Sequence, residues 1–332
     1  MLCIHTWIKV FGASVALTLN QCTYSPLDEQ YLRLQPPEGS NSRLKATYLG
    51  NTTIHITDGT TNLLVDGFLS RPPWYKLFLG HYHSDPKKIE EQLENAGIDD
   101  VDVVLVGHTH GDHALDAPYY AKHKGSTIMG SRSYSIIHRA SGASEHLLHE
   151  VTETRNTLTK GEFKITFVKS AHIEATGYNK LLEGSVSPTF RLPAHFTKYN
   201  CGETYAIHIA HPNGNIAVTT SAGSKLGQWG NLKADVLFLG IGLLSKFPEA
   251  TTKTYWQQTV DPLSPRLVVA THWDNFSKKL PPHNQAGNKL SPPPAIVDRP
   301  QKTMSILKSL DAGKNRLRVI DLGESINPIR NK

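Results

Sequence analysis

Between residues 103 and 113 an apolar run, Val103-Val104-Leu105-Val106-Gly107, leads straight into His108-Thr109-His110-Gly111-Asp112-His113. Imidazole and carboxylate at this spacing are the donor types that hold Zn²⁺ or another divalent ion. The chain has 17 histidines, so a His-rich surface loop is the competing reading. A solvated loop explains neither the residue types nor their spacing, whereas bonds to a metal explain all four. The apolar run reads as a strand buried on both faces. The cluster therefore stands at a strand's carboxyl end, where irregular backbone can aim several side chains at one point.

Other strand ends carry single donors. Phe163–Lys169 alternates as a strand and is followed by Ser170-Ala171-His172, and Arg266–Ala270 runs into Thr271-His272-Trp273-Asp274. Either histidine alone reads as a satisfied polar residue. Asp66 closes the strand Leu63-Leu64-Val65, where a carboxylate serves as a structural acceptor or as a partner for a metal-bound imidazole. Asp116 lies close to the cluster in sequence, and Asp274 is either another such partner or a loop carboxylate. His81 and His83 repeat the H-x-H spacing without a following carboxylate and read as surface or substrate-loop residues.

The positioning elements recur along the chain. Ala46–Leu49, Thr53–Thr57 and Asn62–Asp66 read as strands, with a hairpin at Asp58-Gly59. A helix is predicted from Asp85-Pro86 to Gly97, others over Leu115–Lys124, from Ser131 or Ser133 to His138, over Thr251–Val260, and from Pro300 or Gln301 to Leu310. Thr127–Met129, Ala234–Gly240 and Leu317–Leu322 read as further strands. Thr204–His211 and Asn215–Thr220 make a hairpin through Pro212-Asn213-Gly214. Residues 174–202, long and aromatic-rich, form either a wall of a substrate site or a packing insertion.

At 332 residues, with 39% hydrophobic and 19% charged, the chain can bury a sizeable core. Net charge is +6 and pI about 9.0, but the basic residues are scattered, with no basic stripe and interleaved aromatics for nucleic acid. Cys3, Cys22 and Cys201 are too few for a disulfide framework. Residues 1–22 read as a signal or lipoprotein segment. Val10–Leu19 is an apolar stretch of secretory length and Cys22 stands where a lipoprotein signal is cut and acylated, although Gln21 replaces the small residue that signal favours. This predicts export to the periplasm or cell envelope and membrane association through the N-terminus; a cytoplasmic protein with a plain N-terminus is the other reading. Residues 23–44 read as a linker or arm, and 45–332 as one catalytic domain.

Together, His-x-His-x-Asp-His, a strand-end histidine about sixty residues later and a late strand-end histidine resemble the metallo-β-lactamase superfamily of hydrolases. Asp112-His113-Ala114-Leu115-Asp116-Ala117-Pro118, Gly130-Ser131-Arg132-Ser133, Ser221-Ala222-Gly223 and His272-Trp273-Asp274-Asn275-Phe276 resemble a poorly characterised, often exported branch of it. The resemblance implies an α+β fold, a four-layer αββα sandwich, with one or two Zn²⁺ (or another divalent metal) at one edge. It puts His108, His110 and His172 on the first metal and Asp112, His113 and His272 on the second. Asp112 and His113 are then also the catalytic pair, with Asp112 orienting the attacking water.

The departure is at Ser221, where many members carry an Asp that bridges both metals. Ser221 then supports a bridging water, or the site works with one metal. The hairpin register brings residues 201–204 beside 221–224, so Cys201 is either a further zinc ligand near that gap or a packing cysteine. The function implied is metal-dependent hydrolysis of an ester, lactone or phosphodiester. The alternatives are an N-acyl-phospholipid phosphodiesterase-like enzyme and a non-catalytic, metal-bound binding protein. The partner is a small-molecule or lipid-like substrate.

Overall fold

The computed structural model describes residues 43–152, 155–174, 177–283 and 289–328, and a short hairpin of Ile8–Val10 with Ala13–Val15. The remainder of the predicted export segment and almost all of the arm lie outside the described residues. Among the described residues no helix is long and apolar enough to cross a membrane.

Two seven-stranded sheets make the inner layers. The first contains β1 (Lys45–Tyr48), β2 (Ile54–Thr57), β3 (Asn62–Val65), β4 (Val103–Leu105), β5 (Thr127–Ser131) and β6 (Leu148–Val151). The second contains β7 (Arg155–Lys160), β8 (Phe163–Lys169), β9 (Tyr205–His211), β10 (Gly214–Thr219), β11 (Val236–Gly240), β12 (Leu267–Thr271) and β13 (Leu317–Arg318). β14 (Ser325–Ile326) returns to pair with β1. Spatial order is β14-β1-β2-β3-β4-β5-β6 in the first sheet and β7-β8-β9-β10-β11-β12-β13 in the second.

Each sheet is antiparallel on one side and parallel on the other. β3 to β6 are parallel, as are β10 to β13. The central parallel strands are the fully buried ones: every residue of β4, β11 and β12 is buried, which is what covering a sheet on both faces demands. The outer layers are helical: α1 (Pro86–Ala96), the single turn α2 (Gly111–Ala114), α3 (Ala117–His123), α4 (Arg132–Ala140), α5 (Glu249–Leu263) and α6 (Pro300–Leu310). This is the αββα sandwich.

Local signals set the element ends. The Asp85 carboxylate accepts from the Lys88 amide, Pro86 begins α1, and Gly97 closes it in the left-handed region, the usual asymmetry of helix termini. In the β2–β3 turn, Asp58 Oδ1 accepts from the Thr60 and Thr61 amides at 2.8 Å each. Where sequence and structure differ, tertiary context decides. The helix expected over Leu115–Lys124 runs only from Ala117, because the preceding turn, α2, is spent on presenting Asp112 and His113. The strand expected over Leu317–Leu322 forms only over Leu317–Arg318, with a single bridge following at Val319. β7 was not foreseen. It is a polar edge strand, and such edges trade apolar patterning for Thr and Lys.

At the end of the sandwich away from these strand ends, His211 packs between Asp58 and Glu162, its Nε2 3.5 Å from a carboxylate oxygen of each. Nδ1 accepts from the Asn213 amide at 3.1 Å. Nε2 therefore carries the ring hydrogen; it makes no hydrogen bond, and it turns that hydrogen, not a lone pair, towards the carboxylates.

His55, buried on β2, contacts Asn62 Oδ1 through Nε2 at 3.1 Å. Burial pulls its pKa down to about 4, and Lys45 adds to this against the Asn62 contact. The unfolded chain thus takes up the proton first, and this residue's contribution to stability declines as pH falls from about 6.5 towards 4. His55→Gln is expected to flatten the pH dependence of the denaturation midpoint in that window. An unchanged slope between variant and parent would show that His55 does not titrate this way.

Candidate metal centre

Four strand ends deliver the site to one edge of the sandwich. His108 and His110 lie on the turn after β4, and Asp112 and His113 on α2 directly behind it. His172 follows β8, His272 follows β12 in the left-handed region at φ 57°, and Ser221 follows β10. Two glycines permit the close approach. A Cβ on Gly107 would lie 2.2 Å from Thr220 Oγ1, and one on Gly223 2.4 Å from the Ala171 carbonyl oxygen.

The six expected ligands gather into two groups, His108, His110 and His172 in one and Asp112, His113 and His272 in the other. In the second, Asp112 Oδ2 is 3.3 Å from Nε2 of both His113 and His272, and those nitrogens are 3.2 Å apart. A tetrahedral ion with bonds of about 2.0–2.1 Å has ligand edges of about 3.3 Å, so the donor set fits. In the first group His108 Nε2 and His110 Nδ1 are 3.2 Å apart. The two groups adjoin, with the His108 and His113 ring centroids 3.9 Å apart.

Tautomers favour ligation. His113 Nδ1 donates to Asp66 Oδ2 at 2.7 Å, His172 Nδ1 to the Ile173 carbonyl at 2.8 Å, and His110 Nε2 to the Leu182 carbonyl at 3.3 Å. Thr220 Oγ1 stands 3.4 Å behind His108 Nδ1. With the rear nitrogen of each ring protonated, the front nitrogen presents a lone pair to the common point.

The electrostatics agree. Burial, reinforced by neighbouring imidazoles, holds His108 well below its ordinary pKa and takes His110 down to about 3. Burial also takes His172 to about 4. These rings stay neutral, as ligands must. Burial opposes ionisation of Asp112, yet His113 and His272 hold its carboxyl well below the usual range. Burial opposes charge on His113 too, but Asp112 and Asp66 override it and raise its pKa to about 10. Positive charge is favoured between those two carboxylates, whether it comes from a proton or from a cation.

The supporting residues are only partly those expected. Asp66 is a direct partner of His113 and also accepts from Thr52 Oγ1 at 2.5 Å and the Gly107 amide at 3.0 Å. Asp116 does not turn back to the cluster. Its carboxylate accepts from the Leu69 and Ser70 amides and the Ser70 hydroxyl at 2.8, 2.7 and 2.6 Å, while burial pushes its pKa up to about 6. Asp274 accepts from no ligand imidazole. It pairs with buried Arg71 at 2.6 Å and accepts from the Asn51 amide at 2.7 Å and Tyr48 hydroxyl at 3.1 Å. Ser221 Oγ accepts from the Ile173 amide at 3.2 Å, steadying the backbone beside His172.

Cys201 lies outside both donor groups, with Sγ 3.3 Å from Thr204 Oγ1 and burial pushing its thiol up to about 11. Asn51 was missed in the sequence. Its Nδ2 donates to the Asp112 carbonyl at 2.8 Å and its own carbonyl accepts from the His272 amide at 2.8 Å. An Asn following Gly50 in a tight turn, at φ 53°, was the one available signal.

A cavity of about 530 Å³ opens beside His110 and His172, lined also by Lys169, Leu182, Cys201 and Glu203. Its wall includes the long loop 174–202, through the Leu182 to Ser185 stretch and Cys201-Gly202. The loop is tied down by Ala194–His195 pairing with His81–Tyr82, which places the second H-x-H in a supporting ribbon.

Residues 47–177 match the family model described as the metallo-beta-lactamase superfamily. Over those residues the chain is similar to that superfamily. A relative named "UPF0173 metal-dependent hydrolase" from Agrobacterium fabrum is 24% identical over 165 residues, 48% of this chain and 63% of the relative. The chain thus spans less than two thirds of that relative's length. Another of the same name from an Exiguobacterium is 25% identical over 70% of this chain and 87% of its own. The solved structure of an isothiocyanate hydrolase from Delia radicum gut bacteria has a similar fold, at 16% identity and a TM-score of 0.52 over 86% of this chain and 100% of that one.

The Arg71–Asp274 pair sits under the His272 turn with both side chains 1% exposed, and Arg71 Nε and Nη2 have no hydrogen-bond partner. Removing one member strands a buried charge. Asp274→Ala is expected to cost about 3–5 kcal/mol in urea unfolding, and adding Arg71→Met should recover part of it. A loss under about 1 kcal/mol would mean that the pair does not anchor this turn.

Proposed function

We propose that this chain is a metal-dependent hydrolase that cleaves an ester, lactone or phosphodiester bond, with Zn²⁺ as the ion. The observation that carries the reading is the meeting of six donors from the ends of β4, β8 and β12, two of which, His110 and His172, line a cavity of about 530 Å³. A bound divalent ion supplies an activated water at neutral pH and a Lewis acid for the oxygen that gains charge.

The chain's own residues do the rest. His108, His110 and His172 would hold one ion, and Asp112, His113 and His272 the other. Asp112 also orients the attacking water through its carboxylate. Asp66 holds a hydrogen of His113 on Nδ1, so that Nε2 is the nitrogen that would ligate once a cation displaces its proton. Lys169 and Glu203 give the cavity a polar lining, while Leu182 and Ile173 give it an apolar one, which suits a small amphiphilic or lipid-like substrate. Nucleic acid is not a partner on this reading. We further infer that residues 1–22 direct export to the periplasm or envelope, which cell fractionation of the full chain checks.

His110→Ala is expected to lower kcat/KM by at least about a thousandfold, an amount metal-assisted chemistry readily supplies, with an unchanged far-ultraviolet circular dichroism spectrum. The measurement is a panel of aryl esters, lactones, bis-aryl phosphodiesters and N-acyl phospholipid vesicles, run with the metal-loaded protein and after chelation. Undiminished turnover by His110→Ala, or by the chelated protein, would overturn the mechanism.

A further inference from the structure

We propose that the two metal positions are unequal. The first divalent ion goes to Asp112, His113 and His272, and the position made by His108, His110 and His172 takes a second ion only weakly. This rests on the metal-centre reading above and concerns how this chain's own residues divide charge between the two positions.

The donor sets differ in charge. The first position has the Asp112 carboxylate as a ligand and the Asp66 carboxylate 2.7 Å behind His113, two anionic groups against one dication. The second has three neutral imidazoles. Their rear nitrogens face only neutral oxygens: the Thr220 hydroxyl at 3.4 Å, the Leu182 carbonyl at 3.3 Å and the Ile173 carbonyl at 2.8 Å. A carbonyl or hydroxyl behind an imidazole makes it a weaker base than a carboxylate does.

The positions also adjoin, with His108 and His113 ring centroids 3.9 Å apart, and both rings are buried. Two dications so placed repel strongly where water is scarce, unless an anionic side chain lies between them. Asp112, whose charge reaches His108, His110 and His172 as well as its own group, is the one anionic side chain near both, and it is already counted as a ligand of the tighter position; among the described residues no second carboxylate joins it there. Asp66 is held by His113 and Thr52 through Oδ2 and by the Gly107 amide through Oδ1. The strand end after β10 supplies Ser221, which is neutral and already engaged. Its hydroxyl accepts from the Ile173 amide at 3.2 Å, and its carbonyl accepts from the Tyr255 hydroxyl at 3.2 Å. Cys201 stands against Thr204 and outside both donor groups. Ser221 thus supports the His172 segment where a carboxylate would have shared its charge between two ions.

The test counts ions directly. Metal-free full-length protein is titrated with Co²⁺, and separately with Zn²⁺, against a chromophoric chelator. Visible absorption reports the Co²⁺ environment, and elemental analysis after gel filtration reports the stoichiometry. The expectation is one tight equivalent and a second at least about tenfold weaker. His110→Gln should keep the tight step and its Co²⁺ spectrum while losing the weak one, and Asp112→Asn should lose the tight step. Ser221→Asp should strengthen the second step by at least about tenfold.

Near-ultraviolet circular dichroism establishes folding of each variant. If Ser221→Asp does not fold, the His110→Gln and Asp112→Asn pair decides. Two equal steps in the parent, or loss of the tight ion in His110→Gln, would overturn the proposal while leaving the hydrolase reading intact. Failure to bind any ion would overturn both. Two unequal ions with no turnover on any substrate would uphold the inequality and remove the hydrolase reading alone.

Discussion

Asp66 is the residue on which the arrangement turns. Its carboxylate has no solvent contact, so it must be fully satisfied by protein donors or cost several kcal/mol. Three donors satisfy it: His113 Nδ1, Thr52 Oγ1 and the Gly107 amide. They come from α2, from the turn between β1 and β2, and from the end of β4. One buried carboxylate thereby sets the relative placement of three segments and the tautomer of a ligand. Its own position at the end of β3, parallel to β4, keeps it level with the histidine cluster.

The two-sheet architecture then explains why distant donors meet. Parallel strands end at the same edge, and each sheet contributes its own. From the first sheet come β3 and β4, with Asp66 and the His108–His113 turn; from the second come β10, β12 and the antiparallel β8, which runs to that same edge. The fully buried strands carry no charged side chain along their length, so the chemistry is displaced to the residues just past their ends. Gly107 against Thr220 is where the sheets close to within reach of one another. A side chain at position 107 would push the β4 turn from the β10 end and separate His108 from its Thr220 support.

This division also determines what can be read from the chain itself. The strand–histidine motif is contiguous, so spacing and residue type suffice. His172 and His272 become legible only as strand-end residues in company with that motif. The supporting groups are a different matter. Asp116 and Asp274 are carboxylates beside ligands in sequence, but α3 begins at Ala117 and carries Asp116 under Leu69 and Ser70, and the buried Arg71 claims Asp274. Proximity along the chain did not translate into proximity of the functional atoms. Asn51, Thr220 and Arg71 act across separations of 61, 112 and 203 residues, and no local pattern marks such pairs. The polar strand β7 was invisible for a related reason: an edge is defined by its neighbours, not by its own periodicity.

The loop over residues 174–202 joins recognition to ligation. Leu182 lines the cavity, yet its carbonyl accepts from His110 Nε2 at 3.3 Å and from the Cys201 amide at 2.7 Å. The Cys201 carbonyl in turn accepts from the Thr109 amide at 2.9 Å, between the two histidines of the motif. The wall of the cavity and the support of one ligand are therefore the same stretch of backbone. A displacement of this loop sufficient to admit a larger substrate would lengthen the contact that keeps the His110 hydrogen on Nε2, and with it weaken the lone pair that Nδ1 presents. On the proposed metal reading, cavity shape and metal affinity would be coupled through that one carbonyl, and substitutions that remodel the wall near Leu182 would change both together.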